Sequence, residues 1–309
     1  MIHAAYRLWG GDGHYAKMCG TSMLSMFENT KEKVTVHIMH NDRLTTDNRG
    51  KFCYIAEQYG QQVEFHNVEE IAGETLRKFE AAYPIKSGVN VAWYPLIIHD
   101  VFPNLDKIIF LGGDTIINLD IGELWAYDLG EYGIGAISEF LNKGNRYPAR
   151  ICREAIVNVE DYFNADVLLL KPIFFKDNFE RILEACKFMH EKNFPWLEQD
   201  ALNYLFSKDN LKLPRRFNTF VGTLRMDRYF KIDKNIYHYV AHAKPNLNTD
   251  DIYNRLYFEY FLKTPWATAD IFGNIEKKFK AKYDFLKAQF LNYTNLIGKR
   301  ERVFLVDKN

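Results

Sequence analysis

The N-terminal third of this chain alternates between a strand period and a helix period, and that alternation decides which folds are open to it. Ile2–Leu8 reads as a strand and runs into the turn Gly10-Gly-Asp-Gly13. A helical spacing covers Tyr15 to Phe27, and a β alternation covers Val34 to His40. Thr45 to Tyr59 reads as a helix with Thr45 or Thr46 as its cap. Val63–Val68 reads as a strand, and the spacing predicts a helix over Val91–Val101 that leads into the strand Lys107–Leu111. Strands separated by helix-length segments are joined by crossovers, and crossovers make parallel neighbours. The expectation is an α/β fold of the Rossmann-like, doubly wound kind, with a mixed, mostly parallel sheet flanked by helices. Gly133–Ile137 and Phe163–Leu170 add two strands, and the second is so uniformly apolar that it reads as interior.

Beyond Lys171-Pro172 helical patterns dominate, at Asn178–His190, Gln199–Phe206 and Asp251–Leu262, with a short β-like run at Ile236–Val240. From Ile275 to Ile297, the residues Ile275, Phe279, Tyr283, Leu286, Phe290 and Tyr293 recur at spacings of three and four and mark one helix face. The other face carries Lys277, Lys278, Lys280 and Lys287. The expected organisation is one α/β domain over 1–248 and a helical extension over 249–309.

Of the 309 residues, 47% are apolar and 16% aromatic, enough for a substantial core. Lys+Arg and Asp+Glu are both 40, so the overall basic footprint of a nucleic-acid binder is missing. Cys19, Cys53, Cys152 and Cys186 have neither zinc-ligand nor redox spacing and read as reduced thiols. The N-terminus lacks the apolar region of a signal peptide, and no run approaches the ~18 apolar residues of a membrane span. The expectation is a cytoplasmic protein. Its basic tail helix reads either as a peripheral contact with the inner face of an anionic membrane or as a surface helix packed on the domain.

The segment Lys107-Ile-Ile-Phe-Leu-Gly-Gly-Asp114 ends an apolar strand in a Gly-Gly turn tipped by one carboxylate. In open α/β sheets ligands bind beyond the carboxyl ends of the strands. A carboxylate there suits a hard divalent cation, and an Asx turn is the plainer alternative. Much later, His238-Tyr-Val-Ala-His-Ala-Lys244-Pro245 offers an imidazole and an ammonium. His238 reads as a metal ligand or a satisfied core histidine. Pro245 keeps the Lys244 backbone extended, so this lysine reads as a fixed cation for a diphosphate or as a solvated side chain. The glycine spacing around Gly10 is not a dinucleotide fingerprint. Gly10 would still let a flat ligand approach the backbone, with Tyr15 stacked on it. Asp12 would accept a hydrogen bond from a base or cap the next helix. Glu198-Gln199-Asp200 opens a helix, where acids either complement the dipole or face a polar substrate.

In this order, from Ile2 to about Pro245, these segments resemble the family 8 glycosyltransferases, the group of bacterial lipopolysaccharide hexosyltransferases, galactinol synthases and glycogenin. Phe110-Leu-Gly-Gly-Asp114 stands where the family has Leu-Asp-x-Asp. Gly122-Glu-Leu-Trp125 with Asp128-Leu129, Tyr162-Phe-Asn-Ala165, Glu198-Gln-Asp-Ala-Leu-Asn203 and Leu213-Pro-x-x-Phe-Asn218 follow. His238-x-x-Ala-x-x-Lys244-Pro245 is similar to the family's His-x-x-Gly-x-x-Lys-Pro-Trp.

The resemblance implies a GT-A fold and the transfer of galactose or glucose from UDP-galactose or UDP-glucose. The transfer would go, with retention, to a hydroxyl of a glycan or glycoprotein acceptor in bacterial cell-surface biosynthesis. It implies Mn²⁺ or Mg²⁺ held by Asp114 and His238. Asp12 would read the uracil, Tyr15 would stack on it, and Gly10 and Gly113 would belong to the nucleotide site. Lys244 would contact the diphosphate, and Glu198, Gln199 and Asn164 would serve catalysis beside the donor sugar. Four positions depart from the pattern. The first motif acid is Gly112, and the donor-sugar arginine aligns with Pro95. The glycine after Asn-Ala is Asp166, an acid that would partly compensate if it reached the site. The late Gly and Trp are Ala241 and Asn246. Two other readings stay open: a metal-independent transferase, and a non-catalytic protein that binds UDP-sugar or glycan.

Overall fold

The computed structural model describes residues 1–9, 13–85, 90–144, 146–246, 248 and 250–267. Ten strands are present among them: β1 Ile2–Leu8, β2 Val34–His40, β3 Gln62–Asn67, β4 Ile108–Leu111, β5 Thr115–Ile117, β6 Ile134–Ser138, β7 Phe163–Leu170, β8 Leu211–Lys212, β9 Thr219–Phe220 and β10 Ile236–His238. Seven form one sheet in the order β3-β2-β1-β4-β7-β6-β8. β1 pairs in parallel with β2 on one side and β4 on the other, and β2 pairs in parallel with β3. β7 lies antiparallel between β4 and β6, and β8 pairs in parallel with β6. The apolar β7 is interior, as its composition implies, although both its neighbours run against it.

The chain leaves β1 toward β2 and later returns to β4 on β1's other side. The strand order therefore diverges at β1, and a crevice opens beyond Leu8 and Leu111. A second, small sheet, β5-β10-β9, sits past that edge. β10 runs antiparallel to β5 and parallel to β9.

Helix α1, His14–Asn29, buries most of its length. Helix α2, Thr46–Gln58, starts at Thr45, whose hydroxyl accepts a hydrogen bond from the Asn48 N–H. Helix α3, Val68–Ala82, was not legible as a helix in the sequence. Asn67 caps it, and Val68, Ala72, Leu76 and Phe79 bury one stripe. The 91–101 region is not one α-helix. It is a 3₁₀ segment, Asn90–Ile97, followed by a single α turn, Ile98–Val101. In an α-helix the Pro95 ring would meet the carbonyl four residues earlier, which disfavours α winding here. The later helices fall at Phe179–Glu191, Leu197–Phe206 and Ile252–Phe261, close to their expected bounds.

The first compact unit of the chain spans Met1–Thr264 and so includes the Ile252–Phe261 helix. A second unit spans Pro265–Asn309. The amphipathic pattern of 275–297 lies outside the described residues, as do Gly10 and Asp12. Among the described residues no helix is long and apolar enough to cross a membrane.

Candidate active site

The Gly112–Asp114 turn is pinned where the two sheets meet. The Gly112 N–H donates to the Asp166 carbonyl on β7 at 2.6 Å. The Thr115 hydroxyl donates to the Gly112 carbonyl at 2.8 Å, and Thr115 meets Ser22 of α1 at 2.8 Å. Close approach requires glycine at 113 and leaves little room for a side chain at 112. A Cβ at Gly113 would lie 2.4 Å from the Cys19 sulfur. A Cβ at Gly112 would lie 3.0 Å from Asp114 Oδ1, 3.0 Å from Asp166 Cβ and 3.3 Å from Asp166 Cγ. Gly113 therefore lets the turn settle on α1, while Gly112 leaves its side-chain space to Asp166.

The β5–β10 pairing sets His238 opposite Thr115, beside Asp114. His238 Nε2 lies 3.3 Å from Asp114 Oδ1 and 3.7 Å from Asp166 Oδ2. The tautomer can be traced through a chain of amides. The Asp166 N–H donates to Asn164 Oδ1 at 3.0 Å, which fixes that atom as oxygen. Asn218 must then present its NH₂ to Asn164 Oδ1, at 2.9 Å, and its oxygen to His238 Nδ1, also at 2.9 Å. Nδ1 carries the proton, and in the neutral ring the Nε2 lone pair faces the two carboxylates. Nε2 is buried and has no hydrogen-bond partner among the described residues. A lone pair facing two carboxylates is reconciled by positive charge placed between them, either a proton on Nε2 or a bound cation. Metal-ligating histidines characteristically use their second nitrogen this way, donating to a fixed oxygen. The residues present thus fit a hard divalent cation, with Asp114, Asp166 and His238 as its protein ligands.

Two side-chain cations flank this set. The Lys244 ammonium pairs with Asp114 Oδ2. Burial would raise the Asp114 carboxyl, but the charge that His238 carries when protonated, and that of Lys244, outweigh it and hold the group well below the ordinary carboxylate range. Arg7, near the end of β1, bridges Asp166 and Glu198 with contacts of 2.5 Å each. Burial opposes its charge, yet Asp166, Glu198 and Asp114 keep the guanidinium more firmly protonated than usual. Glu198 goes the other way. Its burial exceeds the pull of Arg7, and its carboxyl sits above the ordinary value.

Glu198, Gln199 and Asn164 are brought together beside Asp166, but their polar atoms are differently committed. Gln199 Oε1 accepts from the Ala165 N–H and from Asn164 Nδ2, both at 3.0 Å. Its amide nitrogen donates to the Tyr162 hydroxyl at 2.9 Å and to Glu139 at 3.2 Å. Tyr162 donates in turn to Asp200 at 2.8 Å. Gln199 and Asn164 therefore brace the strand–helix junction that presents Glu198 and Asp166. A cavity of about 800 Å³ opens beside them, lined in part by Arg7, Asn164, Asp166, Trp196, Glu198 and Gln199. Tyr15 stands exposed on the first turn of α1.

The structure thus gathers Asp114, His238, Lys244, Glu198, Gln199, Asn164 and Gly113 around one locus. Sequence reasoning assigned no role to Arg7 or Asn218. Arg7 carried a usable signal, since it is a lone cation near the carboxyl end of the first strand. Asn218 ends one of the quoted motifs, but only its hydrogen bonds reveal what it does.

A fold and a locus of this kind define a transferase of the GT-A class, and the sequence comparisons agree. The sequence model of Glycosyl transferase family 8 matches residues 8–249, and the chain belongs to that family. It is similar to General stress protein A of Bacillus subtilis, with 24% identity over 276 residues that cover 83% of this chain and 93% of that protein. It is also similar to glycosyltransferase GlyE of Streptococcus pneumoniae, with 22% identity over 308 residues, 93% of this chain and 68% of that one. Among solved structures, galactosyltransferase LgtC, crystallised with donor and acceptor sugar analogues, matches with a TM-score of 0.68 at 18% identity. That match covers 85% of this chain and 96% of LgtC, and the likeness is one of fold.

Proposed function

We propose that the protein transfers a hexose, galactose or glucose, from a UDP-sugar to a hydroxyl of a glycan or glycoprotein, with retention at the anomeric carbon. One observation carries the reading: the unpartnered His238 Nε2 set against Asp114 and Asp166, with Lys244 alongside. A divalent cation bound by these three residues would offset the negative charge that grows on the departing diphosphate.

The protein's own groups do the rest. Lys244 turns from Asp114 to the diphosphate and stabilises the same charge. Asp166 stands in for the acid that Gly112 lacks, and Arg7 supplies the guanidinium that Pro95 lacks. The donor hexose lies toward the cavity beside Arg7, Asp166 and Glu198, with Trp196 on its wall. The bond from the anomeric carbon to the UDP oxygen breaks, and the acceptor oxygen bonds to that carbon from the same face. The acceptor proton passes to an oxygen of the departing diphosphate. No side chain is required as a nucleophile, which suits a locus whose amides are all engaged in bracing.

The test is UDP release across a panel of UDP-sugars, with Mn²⁺ and with EDTA, for the wild type, Asp114→Asn and His238→Ala. Turnover with one UDP-hexose, abolished by EDTA and by either substitution, is expected. Full metal-stimulated turnover in both variants would refute the metal assignment. Turnover indifferent to EDTA would mean that Lys244 and Arg7 alone carry the charge.

A further inference from the structure

We propose that His37, Glu64 and His66 form a second divalent-metal site, of the zinc type, on the sheet face where β2 meets the edge strand β3. This site is separate from the diphosphate locus. His37 is in register with Ala5 of β1, two residues before Arg7, and Glu64 and His66 lie one strand farther out on β3, whereas the diphosphate locus lies at Asp114 beyond the end of β4.

The strands themselves converge the donors. His37 and Glu64 are direct partners across the parallel β2–β3 pair, and His66 follows Glu64 by two residues on the same face. His37 Nδ1 lies 3.0 Å from His66 Nε2 and 3.3 Å from Glu64 Oε2, and His66 Nε2 lies 3.7 Å from the same oxygen. Those are the edges of one face of a coordination tetrahedron. Ligands about 2.1 Å from a zinc ion stand about 3.4 Å from each other. Two imidazoles and one carboxylate are a known zinc donor set, and such three-ligand sites keep a fourth position open.

The surroundings support the same state. His37 Nε2 meets His3 Nδ1 at 2.9 Å, so a proton on Nε2 donated to His3 frees Nδ1 as a ligand. Phe102 packs against both His37 and His66, with ring centroids 4.9 and 5.0 Å away, which makes a dry wall behind the nitrogens. Burial lowers the affinities of His37 and His66 for protons, and neutral imidazole is the form that ligates. The open side is Glu64, whose side chain is 55% exposed. The donors sit on paired strands, so an ion here would tie the edge strand to its neighbour.

The test uses the full chain carrying Asp114→Asn and His238→Ala, so that the diphosphate locus is silenced. Zn²⁺ is titrated against a chromophoric chelator, and Co²⁺ is followed by its visible absorption. One Zn²⁺ equivalent and a tetrahedral Co²⁺ spectrum are expected. Glu64→Gln, at an exposed position, should weaken Zn²⁺ about 100-fold or more with the circular dichroism unchanged. His66→Gln should do the same. No stoichiometric Zn²⁺ in the silenced chain, or Zn²⁺ affinity unmoved by both substitutions in folded protein, overturns the proposal. Because the two loci are separately mutated, failure here leaves the transferase reading intact, and failure of that reading leaves this one intact.

Discussion

If Asp166 occupies the space and the role of a side chain at position 112, then moving the acid back should work only as a pair of changes. Gly112→Asp alone places a Cβ 3.0 Å from both Asp114 Oδ1 and Asp166 Cβ. Overpacking of that kind costs about 1–3 kcal/mol. A third carboxylate at ~4 Å adds like-charge repulsion of up to ~4 kcal/mol at an effective dielectric near 20, partly relieved by the flanking cations. Asp166→Gly alone removes one of the two carboxylates on Arg7. Breaking a buried pair costs about 3–5 kcal/mol, and Glu198 retains part of it here, so roughly 2–3 kcal/mol is expected. Added together, the singles predict a loss of roughly 5–8 kcal/mol, whereas the double variant removes the contact with Asp166 and the third carboxylate and keeps only the 3.0 Å approach to Asp114 Oδ1. Its loss should stay near ~3 kcal/mol, which leaves a coupling of about 3 kcal/mol, large even for residues in contact. Urea unfolding of the four proteins measures it. Mn²⁺ affinity in the presence of UDP, read by electron paramagnetic resonance, supplies the second axis. Asp166→Gly should weaken Mn²⁺ and the double variant should restore it. Additive stabilities together with an unrestored Mn²⁺ affinity would refute the idea that the two positions share one carboxylate.

Three further outcomes follow from the same geometry. Lys244→Gln should lower turnover about 10²-fold, the scale of removing one group that stabilises developing charge. The same change should tighten Mn²⁺ in the absence of nucleotide, since the ammonium that competes for Asp114 is gone, and calorimetry reads the sign. Arg7→Met leaves Asp166 and Glu198 facing each other and should cost about 3–5 kcal/mol near neutral pH. The Glu198 carboxyl is already raised above 4.5 by burial. A raised acid favours folding below its unfolded value, and that benefit is lost as pH rises through the folded value, so the variant's deficit should grow from acidic toward neutral pH in urea midpoints. Finally, Ala241 has φ +50, in the left-handed region. Relief of about 1–2 kcal/mol of backbone strain, less roughly 0.5–1 for glycine's freedom in the unfolded chain, makes Ala241→Gly stabilising by about 0.5–1 kcal/mol.

Much of the fold was legible because its signals are local. The strand periods of β1, β2, β3, β4 and β7 and the cap at Thr45 are written within a few residues of themselves. What was lost depended on context. α3 begins directly at the end of β3, so its opening valine reads as one more strand residue and hides the start of the helix. Residues 91–101 have apolar spacing compatible with a helix, but Pro95 changes the kind of helix without changing the pattern. The reversed direction of β7 has no local signature at all, because an interior strand buried on both faces reads the same whichever way it runs.

The site was legible as a set of residue types but not as a circuit. Asp114, His238 and Lys244 announce themselves by chemistry at strand ends. The groups that make them a donor set do so through pairings that cross the whole chain. Asn218 sets which nitrogen of His238 carries the proton, and it can do so only because the backbone N–H of Asp166 fixes Asn164. Residue 166 thus acts twice, with its amide orienting the relay and its carboxylate facing the imidazole that the relay orients. Gly112 looks in the sequence like the loss of a ligand. In space a Cβ there would stand 3.0 Å from Asp166, so on the proposed reading the glycine leaves that space to the acid at 166. On the proposed reading, two substitutions that each appear damaging in one dimension form a single exchange in three, and a residue-by-residue reading along the chain cannot pair them.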